Sequence, residues 1–368
     1  MRFIVFLFTL FLSVAISAQT SKTIQHGGLT RQYKEYVPTS YTGSQQVPLV
    51  ICLHGLGDNM TNFSGIGMHL LADSAQFITL YPQAVESPFG TAWNSGAGYY
   101  GVVLNDGIDD VGFIDALIDS VSAEYNIDPT RVYVCGFSMG GFMSQRLACQ
   151  LQQRIAAVAS VAGTFGAYLN VNPYRPIPVC HFHGTSDTQV NYTGNMYGND
   201  AEVLVDWWVD FNNCDTPAVI TALPDIAADG YTVEKYDYEN GDANTMVRFY
   251  KVNNADHIWM MPGTNDISYT LEIWKFFRMF QNTTQSIEDS ELLKVSVFPN
   301  PASDKIQVNC FGVVDGEYEI LDMNGQKLVG EYFSGSYINA NVSELPSGIY
   351  VIRVFNETNC SSTKFVIE

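Results

Sequence analysis

Gly136-Phe137-Ser138-Met139-Gly140 sets a serine between two glycines, directly after the apolar run Arg131 to Cys135 and directly before a stretch with helical patterning. A serine held on a sharp strand-to-helix turn needs neighbours without side chains, because a Cβ on either flank would collide with the adjoining elements. The chemistry open to such a serine is nucleophilic attack on an acyl carbon. With 30 glycines in 368 residues, chance gives roughly 0.2 copies of G-x-S-x-G per chain, so the flanking strand and helix carry the specificity of the motif.

A serine hydroxyl at neutral pH needs a base. On a turn of this kind the partners follow in the order serine, acid, histidine. Of the six histidines, residues 26, 54, 69, 181 and 183 precede any acid that fits this order, which leaves His257 in the loop Asn253 to His257, after the strand-like run Met246 to Val252. The acid should close an intervening strand. Ile177 to His183 is that strand, and Asp187 ends the turn Gly184-Thr185-Ser186-Asp187; Asp225, Asp229 and Asp256 compete, but none closes a strong strand.

Acyl transfer also needs donors aimed at the developing oxyanion, and backbone N–H groups supply them without reorganisation. Met139, next to the serine, is one candidate. Leu56 in Leu53-His54-Gly55-Leu56-Gly57 is the other, with glycines on both sides to let that loop fold tightly. Trp93, Tyr99, Tyr100 and Trp259 lie near these loops, and their rings suit a sugar, a phenolic acyl group or an apolar polyester. Asp109 and Asp110 open a helix, where capping and the helix dipole account for them. No metal site and no cofactor is expected.

Such residues need a scaffold. From Val47 onward, strands alternate with helices: Val47 to Leu53, a helix near Gly67 to Ser74, Phe77 to Tyr81, a helix Ile108 to Tyr125, Arg131 to Cys135, and a helix after Ser138. The alternation continues with strands Ala156 to Val161 and Ile177 to His183, helix Ala201 to Asn212, strand Met246 to Val252 and helix Ile267 to Phe280. That pattern predicts an α/β domain, residues 19–280, with a mainly parallel sheet covered on both faces. Residues 281–294 are polar and acidic and read as a linker, and residues 295–368 carry strand signals alone, as expected of a small β-sandwich with a turn at Asn324-Gly325.

The balance of 18 Lys and Arg against 38 Asp and Glu gives a formal charge of −20, which repels a nucleic-acid backbone and anionic lipid alike. Met1-Arg2, the apolar run Phe3 to Ile16, and Ser17-Ala18 read as a secretory signal over residues 1–18. No later segment is long and apolar enough to span a bilayer. Seven cysteines is an odd number; Cys52, Cys135 and Cys180 sit in apolar strands as small buried hydrophobes, and Cys310 with Cys360 is the pair to consider near the C-terminus.

From about Tyr36 to Phe280 the sequence resembles the polyhydroxybutyrate depolymerase-like esterases, secreted α/β-hydrolases that include feruloyl and acetylxylan esterases. The stretches that carry the resemblance are LHG at 53–55, YPQ at 81–83, AWN at 92–94, DDVGFIDALID at 109–119, YNIDPTRVYVCGFSMGG at 125–141, HGTSD at 183–187 and HIW at 257–259. The resemblance implies an α/β-hydrolase fold with Ser138, Asp187 and His257 as triad and Leu56 and Met139 as oxyanion donors. The family often has cysteine at position 56, so leucine is a departure, harmless to a backbone donor. Residues 295–368 resemble the C-terminal sorting domain of the type IX secretion route, through VFPNPASDKIQV at 297–308, DMNGQ at 322–326 and SGIYVIRV at 347–354. That implies export to the cell surface or beyond via the periplasm, with the secretion machinery as partner.

The expected function is a secreted serine carboxylesterase that releases acyl groups from plant cell-wall polysaccharide. A polyhydroxybutyrate depolymerase is the alternative within the class. A serine peptidase and a non-catalytic surface-binding protein are more distant ones.

Overall fold

The structure is a computed structural model that describes residues 19–282, 294–311, 315–322, 326–335, 337–356 and 360–368. The expected secretory signal, most of the expected linker and the expected Asn324-Gly325 turn lie outside the described residues. The chain divides into two compact units, Met1–Ser286 and Ile287–Glu368.

The first unit is built on a ten-stranded sheet of β1 (Thr20–His26), β2 (Leu29–Tyr36), β3 (Val47–Leu53), β4 (Ile78–Pro82), β5 (Ile127–Phe137), β6 (Ala157–Val161), β7 (Val179–Gly184), β8 (Val219–Ala222), β9 (Thr232–Gly241) and β10 (Thr245–Asn253), in the order β1-β2-β4-β3-β5-β6-β7-β10-β9-β8. The six central strands, β4 to β10 in that order, are parallel, and an antiparallel hairpin is added at each edge. Of the central strands, β3, β4, β6 and β7 are buried along their length, as a sheet covered on both faces requires.

Alternation along each strand divides the core in two. Leu49, Ile51 and Leu53 of β3 face one layer, with Val134 and Phe249, against helices α2 (Asp110–Glu124), α3 (Met139–Gln150) and α4 (Ala201–Phe211); Val50 and Cys52 face the other, against α1 (Met68–Ala75) and α5 (Tyr269–Phe277). The predicted strands and helices recur with ends shifted by a few residues. The edge hairpins were not foreseen, since half-exposed polar strands such as Leu29–Tyr36 carry little apolar signal.

Two readings change. Asp109 caps α2 as expected, its side chain accepting from Gly112 N at 2.9 Å. Asp110, by contrast, is buried, pairs with Arg31 at 2.7 Å and accepts from Asn94 N at 2.7 Å, while the Arg31 guanidinium lies over the Phe113 ring. It ties β2 and the loop after β4 to α2, and removing one partner of such a buried pair typically costs about 3–5 kcal/mol. The first unit also runs past residue 280. Asn282 is buried, its N–H donates to Thr130 O and its side-chain amide to Gln153 O.

Cys52 and Cys135 sit opposite each other on β3 and β5 as buried free thiols, Sγ to Sγ 3.6 Å. The side chains of Cys310 and Cys360 lie outside the description.

The second unit has strands Lys294–Phe298, Lys305–Phe311 and Tyr337–Asn341 in one antiparallel sheet, and Lys327–Ser334, Asp315–Leu321, Gly348–Phe355 and Cys360–Ile367 in another. Ile306, Val308 and Ile338 from the first meet Ile320, Ile352, Val354 and Phe365 from the second in one core, which makes a sandwich.

Candidate active site

Ser138 stands between the end of β5 and the start of α3, at φ 53° and ψ −120°. A non-glycine residue held at positive φ is strained, and strain of this kind persists where the surroundings over-determine it. Two glycines do so here. A Cβ on Gly136 would collide with the Gly140 carbonyl, and one on Gly140 with the carbonyl of Leu53, the last residue of β3. Ser138 N donates to Val161 O at 2.8 Å and Phe142 N to Ser138 O at 3.0 Å, so the turn is bonded from the strand side and the helix side.

The loop after β3 comes up beside this turn. Gly55 approaches so closely that a Cβ there would lie 3.4 Å from the Ser138 Cβ. Next to it is a residue that sequence reasoning set aside. His54 is buried; its Nε2 accepts from Ala84 N at 3.1 Å, and since a backbone N–H can only donate, the ring proton sits on Nδ1, which donates to Gly55 O at 2.7 Å. A trans peptide carries its C=O and N–H on opposite sides. Holding Gly55 O therefore aims the Leu56 N–H the other way. Burial pushes the His54 pKa down, in keeping with a neutral ring. The signal was the histidine of LHG, removed by a chain-order argument that applies to the base alone.

Asp187 lies in the turn after β7 and is buried. Its Oδ1 accepts from Gln189 N at 2.9 Å and Val190 N at 2.8 Å, and its Oδ2 is 2.7 Å from His257 Nδ1. The two loops are stitched together: Thr185 N donates to Val252 O, Ser186 N to Ala255 O, and Asn254 N to Thr185 Oγ1. Gly184 permits this closeness, since a Cβ there would strike the Ala255 carbonyl. Asp256, one of the competing acids, accepts from Thr188 and from the His257 backbone N–H rather than from the imidazole. Asp225 is exposed, and Asp229 accepts from Asn265 and Tyr231.

Ser138, His257, Leu56 and Met139 line one cavity of about 470 Å³, together with Tyr99, Tyr197, Phe142 and Val190. Asp58 is there, and no lysine or arginine is among the lining residues. A neutral ester suits such a lining better than an anionic one. Among the described residues Ser138 Oγ has no hydrogen-bond partner, a common state of substrate-free sites in which the nucleophile and base engage when substrate arrives.

The aromatic expectations divide. Tyr99 lines the cavity, with its ring stacked on Tyr197 at 5.7 Å and close to Phe89 and Tyr100. Trp93 does not line the cavity: it is fully buried and its Nε1 donates to His54 O at 2.9 Å, so it supports the loop after β3. Trp259 packs edge-on against Phe63 and Phe137 and donates to Thr270, behind the wall that carries His257. Both are large rings with one N–H donor, and each is used as a packed support with its donor satisfied.

Residues 39–212 match the Phospholipase/Carboxylesterase family, and residues 296–368 match the secretion system C-terminal sorting domain. The chain is 29% identical over 254 residues to a bifunctional acetylxylan esterase/xylanase of Neocallimastix patriciarum, covering 68% of this chain and 33% of that protein. It is 34% identical over 166 residues to feruloyl esterase B of Piromyces equi, covering 43% and 30%. It thus spans about a third of the length of these curated relatives. Among solved structures, the acetyl xylan esterase from Aspergillus awamori shares the fold, with a TM-score of 0.51 and 16% identity over 70% of this chain and 99% of that one. The first unit therefore has the α/β-hydrolase fold and is similar over residues 39–212 to the phospholipase/carboxylesterase family, residues 296–368 match a secretion system C-terminal sorting domain, and the protein is secreted.

Proposed function

We propose that this protein is a serine carboxylesterase that removes acyl groups from plant cell-wall polysaccharide, of the feruloyl or acetylxylan type, through a covalent acyl-enzyme. The observation that carries the reading is the strained Ser138 opening onto the same cavity as His257, whose Nδ1 is held by buried Asp187. His257 takes the serine proton as Ser138 Oγ bonds to the ester carbon, and Asp187 keeps the ring oriented and stabilises the imidazolium. The N–H groups of Leu56 and Met139 receive the oxyanion. The C–O bond to the alcohol breaks with the proton returned from His257 to the leaving oxygen. Water then attacks the acyl-enzyme by the same route, releasing the carboxylic acid and restoring Ser138.

Residues 19–280 form the catalytic domain in this reading, residues 281–294 the linker and residues 295–368 a tail read by the type IX secretion machinery. The aromatic, uncharged wall of Tyr99 and Tyr197 is where a planar acyl group or sugar ring would rest. Each step uses groups the chain itself supplies, without a cofactor.

Two measurements test this. A fluorophosphonate probe should label the protein at Ser138 alone. Hydrolysis should then be compared on methyl ferulate, acetylated xylan, hydroxybutyrate oligomers and peptide amides. Activity confined to the hydroxybutyrate oligomers would replace polysaccharide by polyester, and no labelling would remove the enzyme reading altogether.

A further inference from the structure

A hydrogen-bonded chain of five buried side chains runs beneath the proposed acid. Trp208 Nε1 on α4 donates to Gln145 Oε1 on α3 at 2.8 Å, and Gln145 Nε2 donates to Ser160 Oγ on β6 at 2.7 Å. Ser160 Oγ lies 2.7 Å from His181 Nδ1, His181 Nε2 lies 3.1 Å from His183 Nδ1, and His183 Nε2 lies 2.8 Å from Val190 O. All five side chains have at most 1% of their surface exposed.

The direction of this chain follows from its ends. An indole N–H can only donate, so the Gln145 atom facing Trp208 is the oxygen and the one facing Ser160 is the amide nitrogen. Ser160 Oγ accepts there, and a hydroxyl can accept twice, so the His181 tautomer is fixed from the other end. Val190 O can only accept, so His183 carries its proton on Nε2. The bare Nδ1 of a neutral His183 then accepts from His181 Nε2–H, and the bare Nδ1 of a neutral His181 accepts the Ser160 hydroxyl proton. His183 Nε2 is also 3.6 Å from Asp187 Oδ2.

We propose that His183, supported by His181, is a positioning residue for the catalytic acid: the Val190 carbonyl at one ring nitrogen and His181 at the other hold it as the neutral Nε2–H tautomer, so that it pins the Asp187 to Val190 turn and leaves the Asp187 carboxylate to His257. The inference rests on Asp187 as the acid. A second proton on His183 would set two donors against each other at the His181 contact and would offer Asp187 a rival cation. The groups around the pair are His181, Asp187, Asp200, Tyr192 and His257 near His183, with Ser160 and the Phe249 ring near His181. Burial pushes both histidines below their ordinary pKa, which agrees with the bonding.

The relay can be read without activity. In two-bond ¹H–¹⁵N spectra of the full chain labelled at histidine nitrogens, His181 and His183 should show bare Nδ1 and protonated Nε2, unchanged from about pH 5 to pH 8. A protonated Nδ1 on either ring, or titration of either in that range, would overturn the proposal.

Two substitutions test the consequence. His183→Gln keeps the polarity, since its amide oxygen accepts from His181 and its NH₂ donates to Val190 O; kcat should stay within about threefold of wild type, with the same pH profile. His183→Leu removes the donor, and kcat should fall about 10²-fold, with KM changed much less, as the acid loses its orientation. Full activity in His183→Leu, or a folded His183→Gln as slow as His183→Leu, would refute it. If Asp187→Asn left hydrolysis intact, the acid assignment would fail while the spectra still reported the relay.

Discussion

The two halves of the site are held by different means. The serine turn and its contact with the end of β3 are shaped by backbone: Gly136 and Gly140 let chains approach where any Cβ would collide with a neighbouring carbonyl. The proposed acid and base depend in addition on polar side chains that bond across loops, Asp187, His183 and Asp256, and on the relay between Trp208 and Val190. Backbone shape is local and tolerates exchange of the side chains it carries. A side-chain network depends on groups contributed by several strands and helices, and a change of one donor is felt at the far end.

The largest effect should come from the reacting atom itself. Ser138→Ala is expected to lower kcat for ester hydrolysis by about 10⁴-fold or more, leaving whatever the oxyanion donors and binding contribute. Retention of even a tenth of the activity would mean another nucleophile. On the side-chain half, Asp187→Asn should cost about 10³-fold, because the amide cannot stabilise the imidazolium, while Asp225→Asn should be nearly silent. The reverse pattern in steady-state kinetics would move the acid to Asp225.

The backbone half makes a sharper contrast at one position. Leu56→Pro deletes the proposed donor and should cost about 10²-fold in kcat, whereas Leu56→Ala keeps the N–H and should stay within about threefold. Equal losses in the two variants would show that the leucine side chain, not its amide, matters.

The smallest effect is on stability. His54, His181 and His183 have their pKa values lowered by burial, so they stay neutral in the folded protein, while the unfolded chain takes up protons below about pH 6.5. The unfolded state then binds more protons, and stability is full above that pH and lost as pH falls toward the lowered folded values. All five tryptophans precede residue 287, so tryptophan fluorescence follows the first unit alone; its thermal midpoint should drop by several degrees between about pH 7 and pH 5. A midpoint that is flat across that window would contradict neutral buried histidines.

The order of strands and helices, the serine turn and the candidate base and acid were legible in the sequence, because each rests on a local pattern: apolar runs of strand length, glycines at fixed offsets, and one histidine left by chain order. The tertiary structure decided what those patterns could not carry. Trp93 and Trp259 read as substrate-facing rings, and packing made them supports. Asp110 read as a capping residue, and the fold brought Arg31 to it from 79 positions away. His54, His181 and His183 were set aside as bases and given no other role in the sequence reading, since their roles depend on which group faces each ring nitrogen. That is settled by the Ala84 N–H and the Val190 carbonyl. Hydrogen-bond polarity is a property of groups that meet in space, and in this protein those groups come from different strands and loops.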